Sequence, residues 1–155
     1  MFIPKRFFVT SGIGKGKYEL NAFDLALENA GVSKCNLVPV SSILPQNCRE
    51  VEPIEIPPGS ITFCVIARMD GEAGETIGAG LGYGWLKGKD SGFGIVCEHH
   101  GYYSKSHINE ILEDKLMRMA DMRSLELYEA KFKVESTRVE RGNFGSVAVV
   151  LIYLP

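Results

Sequence analysis

The sequence predicts a mixed α+β sandwich built as one domain. Apolar runs of strand character outnumber helical ones and follow the order β-α-β-β-β-β-α-β-β. Only two segments carry the 3.6-residue spacing of an amphipathic helix. Neither a linker nor an internal repeat divides the 155 residues. A chain of that length buries roughly 70% of its unfolded surface in a single core.

Arg6 to Ser11 reads as the first strand, followed by a Gly-rich turn, Gly12-Ile13-Gly14-Lys15-Gly16. Asn21 to Ala30 has helical spacing, with Ala22, Phe23, Ala26, Leu27 and Ala30 on one side and Asp24 and Glu28 on another. Gly31 ends that helix as a C′ residue, where a left-handed conformation is needed. Lys34 to Val40 is a strand, and the proline-bearing segment Pro45 to Gly59 is irregular. Ile61 to Met69 is a buried strand, and strand character returns around Ile77 and Leu81 within Gly74 to Gly84. Gly92 to His100 is the next strand. A long helix from about Ser106 to Leu125 follows, its stripe made by Ile108, Ile111, Leu112, Met119 and Met122, with Ser104 or Ser106 as N-cap. Ala130 to Val139 and Ser146 to Leu154 close the chain, with a hairpin turn at Arg141-Gly142-Asn143.

Composition excludes several functions. The net charge is −2 and 45% of residues are hydrophobic, with no basic stretch of the kind that holds a phosphate backbone, so nucleic acid is not an expected partner. The start, Met1-Phe2-Ile3-Pro4-Lys5-Arg6, lacks the pattern of a signal peptide, and no apolar run reaches membrane-spanning length. The expected setting is cytoplasmic. Cys35, Cys48, Cys64 and Cys97 form no CxxC pair and read as reduced, buried thiols rather than disulfides or metal ligands.

Chemistry concentrates at Asn36-Leu37-Val38-Pro39-Val40-Ser41-Ser42-Ile43-Leu44-Pro45. A strand that ends in a tight turn at two serines can hold the Ser42 hydroxyl near the Ser41 carbonyl, the arrangement intramolecular acyl transfer needs. A plain Ser-rich turn is the alternative. Gly78-Ala79-Gly80-Leu81-Gly82-Tyr83-Gly84 fails the dinucleotide spacing and reads as close backbone packing in a strand or at a subunit contact. His99 and His100, adjacent on a strand, face opposite ways and make a poor chelating pair. Glu98 ends the apolar run Ile95-Val96-Cys97, where partial burial would raise its pKa for proton transfer; a solvated strand-end Glu is the alternative.

Four segments in order resemble the pyruvoyl-dependent arginine decarboxylase family. They are Leu20-Asn21-Ala22-Phe23-Asp24 leading to Asn29-Ala30-Gly31, Asn36-Leu37 through Ser41-Ser42-Ile43, Gly74-Glu75-Thr76-Ile77, and Glu98 six residues before Ser104-Lys105. The resemblance runs from about Phe8 to Tyr153 and departs most between Ser42 and Gly59 and at the N-terminus. It implies that Ser42 attacks the Ser41 carbonyl and that β-elimination cuts the chain into 1–41 and 42–155. Residue 42 becomes a pyruvoyl group, so no external cofactor and no metal is expected. That group would form a Schiff base with L-arginine and release CO₂, leaving agmatine for polyamine synthesis. Glu98 matches the family's catalytic acid, and Asn36 a polar residue that assists processing near the reacting carbonyl. Asp24 falls in the substrate pocket, where a carboxylate can take a guanidinium in two parallel hydrogen bonds. The family fold is a four-layer αββα sandwich, assembled as trimers with active sites between subunits. Lysine, ornithine or histidine as substrate, or an uncleaved relative that only binds or assembles, are the alternatives.

Overall fold

The computed structural model describes residues 1–88 and 92–155. Two sheets lie face to face, each covered on its outer side by one helix. The first has the order β2 (Asn36–Pro39), β5 (Ile61–Glu72), β9 (Phe144–Leu154), β1 (Arg6–Gly16), β4 (Arg49–Glu50). The second has the order β3 (Ile43–Leu44), β7 (Gly94–Gly101), β6 (Thr76–Lys87), β8 (Glu126–Arg138). Helix α1 (Glu19–Asn29) packs on the first sheet and α2 (Lys105–Asp121) on the second. The β2–β5 and β1–β4 pairs are parallel and the rest antiparallel. This is the αββα sandwich, with a mixed first sheet and an antiparallel second sheet.

The middle strand β9 shows why the layers form. Val147, Val149 and Leu151 point into the space between the sheets, while Ala148, Val150 and Ile152 point at α1. Every one of these six is fully buried, so the strand reads as a continuous apolar run rather than an alternating one. Phe7, Val65, Ile77, Leu81 and Val96 fill the rest of the inter-sheet core, and each such side chain stabilises by roughly 1.5–3 kcal/mol on leaving water.

Glycines set how closely the helices approach. The segment 12–16, expected as a turn, is the second half of β1 and pairs with β9 throughout. Its three glycines share one face of the strand, and α1 lies directly on that face. A Cβ at Gly12 would stand 1.9 Å from the Ala26 carbonyl oxygen. Ala22, Ala26 and Ala30 supply the matching small residues on the helix. The same device recurs on β6, where Gly78 and Gly80 leave room for Ile108 and Leu112 of α2. Close packing, one of the two readings for that Gly-rich stretch, is what the fold uses.

Other boundaries differ in instructive ways. Gly31 has φ +77° as expected of a C′ residue. Ser104 caps α2 by accepting from His107 N, but the helix stops at Asp121, so Met122 is exposed and Leu116 and Ala120 join Ile108 and Leu112 in the buried stripe. The turn at Arg141-Gly142-Asn143 does not close a hairpin, because β8 and β9 belong to different sheets. It is a corner where the chain switches sheets. The β5–β6 connection is another such corner, and Gly74 N→Val139 O (2.8 Å) and Val139 N→Glu75 O (2.9 Å) tie the two together.

Candidate active site

The segment 40–42 is a crossing between the sheets. Val40 N donates to Cys64 O at 2.8 Å in the first sheet, and Ser42 O accepts from Val96 N at 2.9 Å in the second. Two peptides, Val40–Ser41 and Ser41–Ser42, therefore span the gap between these anchored strand ends. Past it, Ile43 pairs with Ile95, Leu44 pairs with Gly94, and the Tyr153 hydroxyl donates to Ile43 O at 2.8 Å. No residue of the crossing has a positive φ: among the described residues the non-glycine ones that do are Asn47, Ser124 and Glu129.

Glu98 lies two residues beyond Val96 on β7, about 7 Å along the strand, with its side chain on the same face as that of Val96. The topology thus brings Glu98 and Ser42 to one strand edge although 56 positions separate them. Glu98 is exposed within its own chain, which is the solvated strand-end alternative of the two readings given for it. The reason is the shortness of β3, which leaves the edge of β7 open past Val96. Lys115 of α2 reaches around this edge and donates to Glu98 O at 2.8 Å and to His99 Nδ1 at 2.9 Å.

His99 and His100 separate as their strand positions require. His99 stacks on Tyr103 with ring centroids 5.7 Å apart, while His100 is exposed. Partial burial, and then the Lys115 ammonium beside it, push the His99 pKa below its usual value. The imidazole is thereby kept neutral and accepts at Nδ1. Among the described residues no three His, Cys, Asp or Glu side chains gather to hold a metal. All four cysteines are free, with Cys48, Cys64 and Cys97 buried.

The structure does not bring Asn36 and Asp24 to Ser42 within one chain. Asn36 begins β2 and its amide donates to Gly59 O at 3.0 Å. It is roughly 16 Å of extended chain from Ser41. Asp24 is exposed on α1, and the first sheet stands between that helix and β3. Its neighbour Phe23 is held by Arg68, whose guanidinium carbon sits 3.4 Å from the ring centroid, and Arg68 is itself paired with Asp70 at 2.8 Å.

A cavity of about 330 Å³ opens at Ser41, walled by Phe2, Val40, Ile43, Phe63 and Tyr153. Its lining is apolar apart from Ser41 and the Tyr153 hydroxyl, and no carboxylate of the same chain lines it. Tyr153 and Lys115 were not singled out from the sequence. Nothing in the spacing marks them, since one works through a hydroxyl in an apolar strand and the other sits on the polar face of a helix.

Comparisons with known proteins bear on this arrangement. Residues 6–155 match the family model "Pyruvoyl-dependent arginine decarboxylase (PvlArgDC)". A pyruvoyl-dependent arginine decarboxylase of Methanopyrus kandleri is 33% identical over 153 residues, covering 99% of both chains. Pyruvoyl-dependent arginine decarboxylase 2 of Archaeoglobus fulgidus is 40% identical over 122 residues, covering 74% of this chain and 77% of its own. Among solved structures, a pyruvoyl-dependent histidine decarboxylase at pH 8 superposes with a TM-score of 0.51 at 18% identity. That likeness covers 64% of this chain and 53% of the decarboxylase, and it supports the fold. A full-length family match, with a relative aligned end to end, places this chain in the pyruvoyl-dependent arginine decarboxylase family, enzymes that depend on a covalently bound pyruvoyl group.

Proposed function

We propose that the chain is one domain that cuts itself between Ser41 and Ser42 into 1–41 and 42–155, and then converts L-arginine to agmatine and CO₂. The observation that carries this reading is the crossing: the peptide to be cut is fastened on both sides, by Cys64 O and by Val96 N. Residue 42 fits the pyruvoyl group, since Ser42 has the hydroxyl from which it is made and the apolar cavity opens beside it. When formed, that group withdraws the electron pair left by the departing carboxylate. The surrounding residues orient and protonate. Tyr153 and Val96 fix the strand that bears residue 42. Glu98, on the adjoining edge, delivers a proton to the substrate's α-carbon.

The guanidinium needs a carboxylate, and the cavity at Ser41 has none from its own chain. Asp24 and Asn36 reach it from a neighbouring copy, which makes the working unit a homotrimer with sites between subunits. Support comes from an uncovered apolar face beside the site, where Val38, Val40, Ile43, Ile61 and Phe63 are all exposed. The reading is tested by intact mass under denaturing conditions. The native chain should give two fragments divided at 41–42, and Ser42→Ala a single chain without decarboxylase activity. Two fragments of normal size from Ser42→Ala would refute the self-cleavage chemistry.

A further inference from the structure

We infer that the backbone N–H of Val96 is an oxyanion-type donor serving the residue 42 carbonyl in both reactions of this site, self-cleavage and decarboxylation. The inference rests on the function proposed above and adds a catalytic group to it. The Ser42 carbonyl oxygen accepts from Val96 N at 2.9 Å. Cleavage does not remove this oxygen. It belongs to the peptide that joins residue 42 to Ile43, so here it stands for the amide oxygen conjugated to the keto carbon of the pyruvoyl group.

Both reactions place negative charge on that one atom. In the elimination, the Ser42 Cα–H bond breaks and its proton passes to water. The bond from Cβ to the ester oxygen breaks as well, a Cα=Cβ double bond forms, and the carboxylate departs on Ser41. The charge that develops at Cα is shared with the adjacent carbonyl oxygen. In the decarboxylation, the electron pair of the bond to the departing CO₂ moves toward the same oxygen. It returns when the substrate's α-carbon takes a proton. A fixed donor 2.7–3.1 Å from an oxygen that becomes charged is what electrostatic stabilisation of a transition state requires.

The donor is fixed and dry. Strand β7 pairs with β6 from Gly94 to Gly101 on its other side, which leaves the Val96 N–H facing β3. The donor residue Val96 is fully buried and the acceptor Ser42 half-buried, so the N–H is shielded from water on its own side, where a hydrogen bond counts for more than in bulk water. The β3 ladder ends at this bond because Val40 N is already committed to Cys64 O. Any residue except proline at position 96 would supply the same donor, so no side-chain motif announces it.

The test removes the N–H alone. The 95–96 peptide is replaced by an ester, with the hydroxy-acid counterpart of valine at position 96. A matched ester at position 97 removes a donor that faces β6 on the same strand. Both should lower the urea midpoint comparably. Only the ester at 96 should slow cleavage, by about 10²–10³-fold, and lower kcat of the cleaved fraction by a similar factor with KM unchanged. In the Ser42→Ala background, a ¹³C-labelled residue 42 carbonyl should absorb at higher infrared frequency with the ester at 96 and not at 97. Val96→Pro, which also removes the N–H at a strand edge, should reproduce the slow cleavage. Native rates and an unmoved carbonyl band with the ester at 96 would overturn the assignment while leaving the proposed function intact. A native chain that never cleaves would instead overturn that function.

Discussion

Helix α1 rests on β1 with no space for a side chain between them, so Gly14→Ala is a sharp probe of how the fold positions Asp24. A Cβ at Gly14 would stand 2.0 Å from the Ala22 carbonyl oxygen and 2.4 Å from Ala26 N. Both obstacles are backbone and cannot swing aside. Restoring a contact of about 3.5 Å requires the helix to retreat by about 1.5 Å. Overpacking of this kind costs about 1–3 kcal/mol, and the entropy saved by replacing a strand glycine returns about 0.5–1 kcal/mol. The expected net loss is therefore up to about 2.5 kcal/mol, read by urea unfolding. Asp24 rides on the displaced helix, and a misplacement of about 1 Å can cost 10²-fold in rate. Decarboxylation should accordingly show kcat/KM for arginine reduced by about 10–10²-fold, mostly through KM. Cleavage at Ser41–Ser42 should be untouched, because its anchors lie on β5 and β7. Gly16→Ala gives the gradient, since its Cβ would meet Asn21 Cβ at 3.0 Å, a tight contact that a shift of a few tenths of an ångström relieves, and should do less harm. A Gly14→Ala protein with native stability and native KM would refute this account.

Three further outcomes are expected. Asp24→Asn should cleave normally but bind arginine more weakly by about 2–5 kcal/mol, as when one side of a desolvated charged pair is lost; an unchanged KM would remove Asp24 from the substrate's far end. Glu98→Gln should also cleave, yet release CO₂ about 10²–10⁴-fold more slowly; native turnover in a fully cleaved sample would assign the proton to another group. Burial pushes the thiols of Cys48, Cys64 and Cys97 up to about 11. A raised folded pKa means that their contribution to stability is complete below the unfolded thiol value of about 8.5 and is lost as pH climbs towards the folded value. Unfolding free energy should thus hold from pH 7 to 8 and decline between about pH 8.5 and 11, and a flat profile to pH 11 would show that these thiols ionise without cost.

Legibility in the sequence followed how local each cause was. The C′ role of Gly31 and the N-cap of α2 were readable because a cap is decided by one or two residues. The second half of β1 was not, since a glycine at every other position signals a turn unless the helix that lies on it is known. The alanines of α1 and the glycines of β1 each look weak alone and explain one another only in contact. At the site, Ser41–Ser42 was readable as a strand end. That this end passes from one sheet to the other depends on pairings with Cys64 and Val96, which are remote in sequence. Glu98 was visible as a carboxylate after an apolar run, but its exposure follows from the shortness of β3, a property of a different segment.

If the chain cuts itself as proposed above, it must also survive the cut, and the topology explains how it can. The fragment 1–41 contains β1, which lies between β9 and β4 and pairs with β9 over eleven positions from Arg6 to Gly16. It also contains α1 and the buried side chains Phe7, Phe8, Ala22 and Ala26. Removing it would uncover the α1-facing side of β9 and the edge that pairs with β1, so the two fragments hold together by the same burial that folds the intact chain. The new ends are pinned separately: residue 41 follows Val40, which keeps its bond to Cys64, and residue 42 keeps its bond from Val96. A cut anywhere within β1 or β9 would break a sheet. At 41–42 the backbone pairs with no strand across the peptide itself, so the loss would be one covalent bond between two anchored ends.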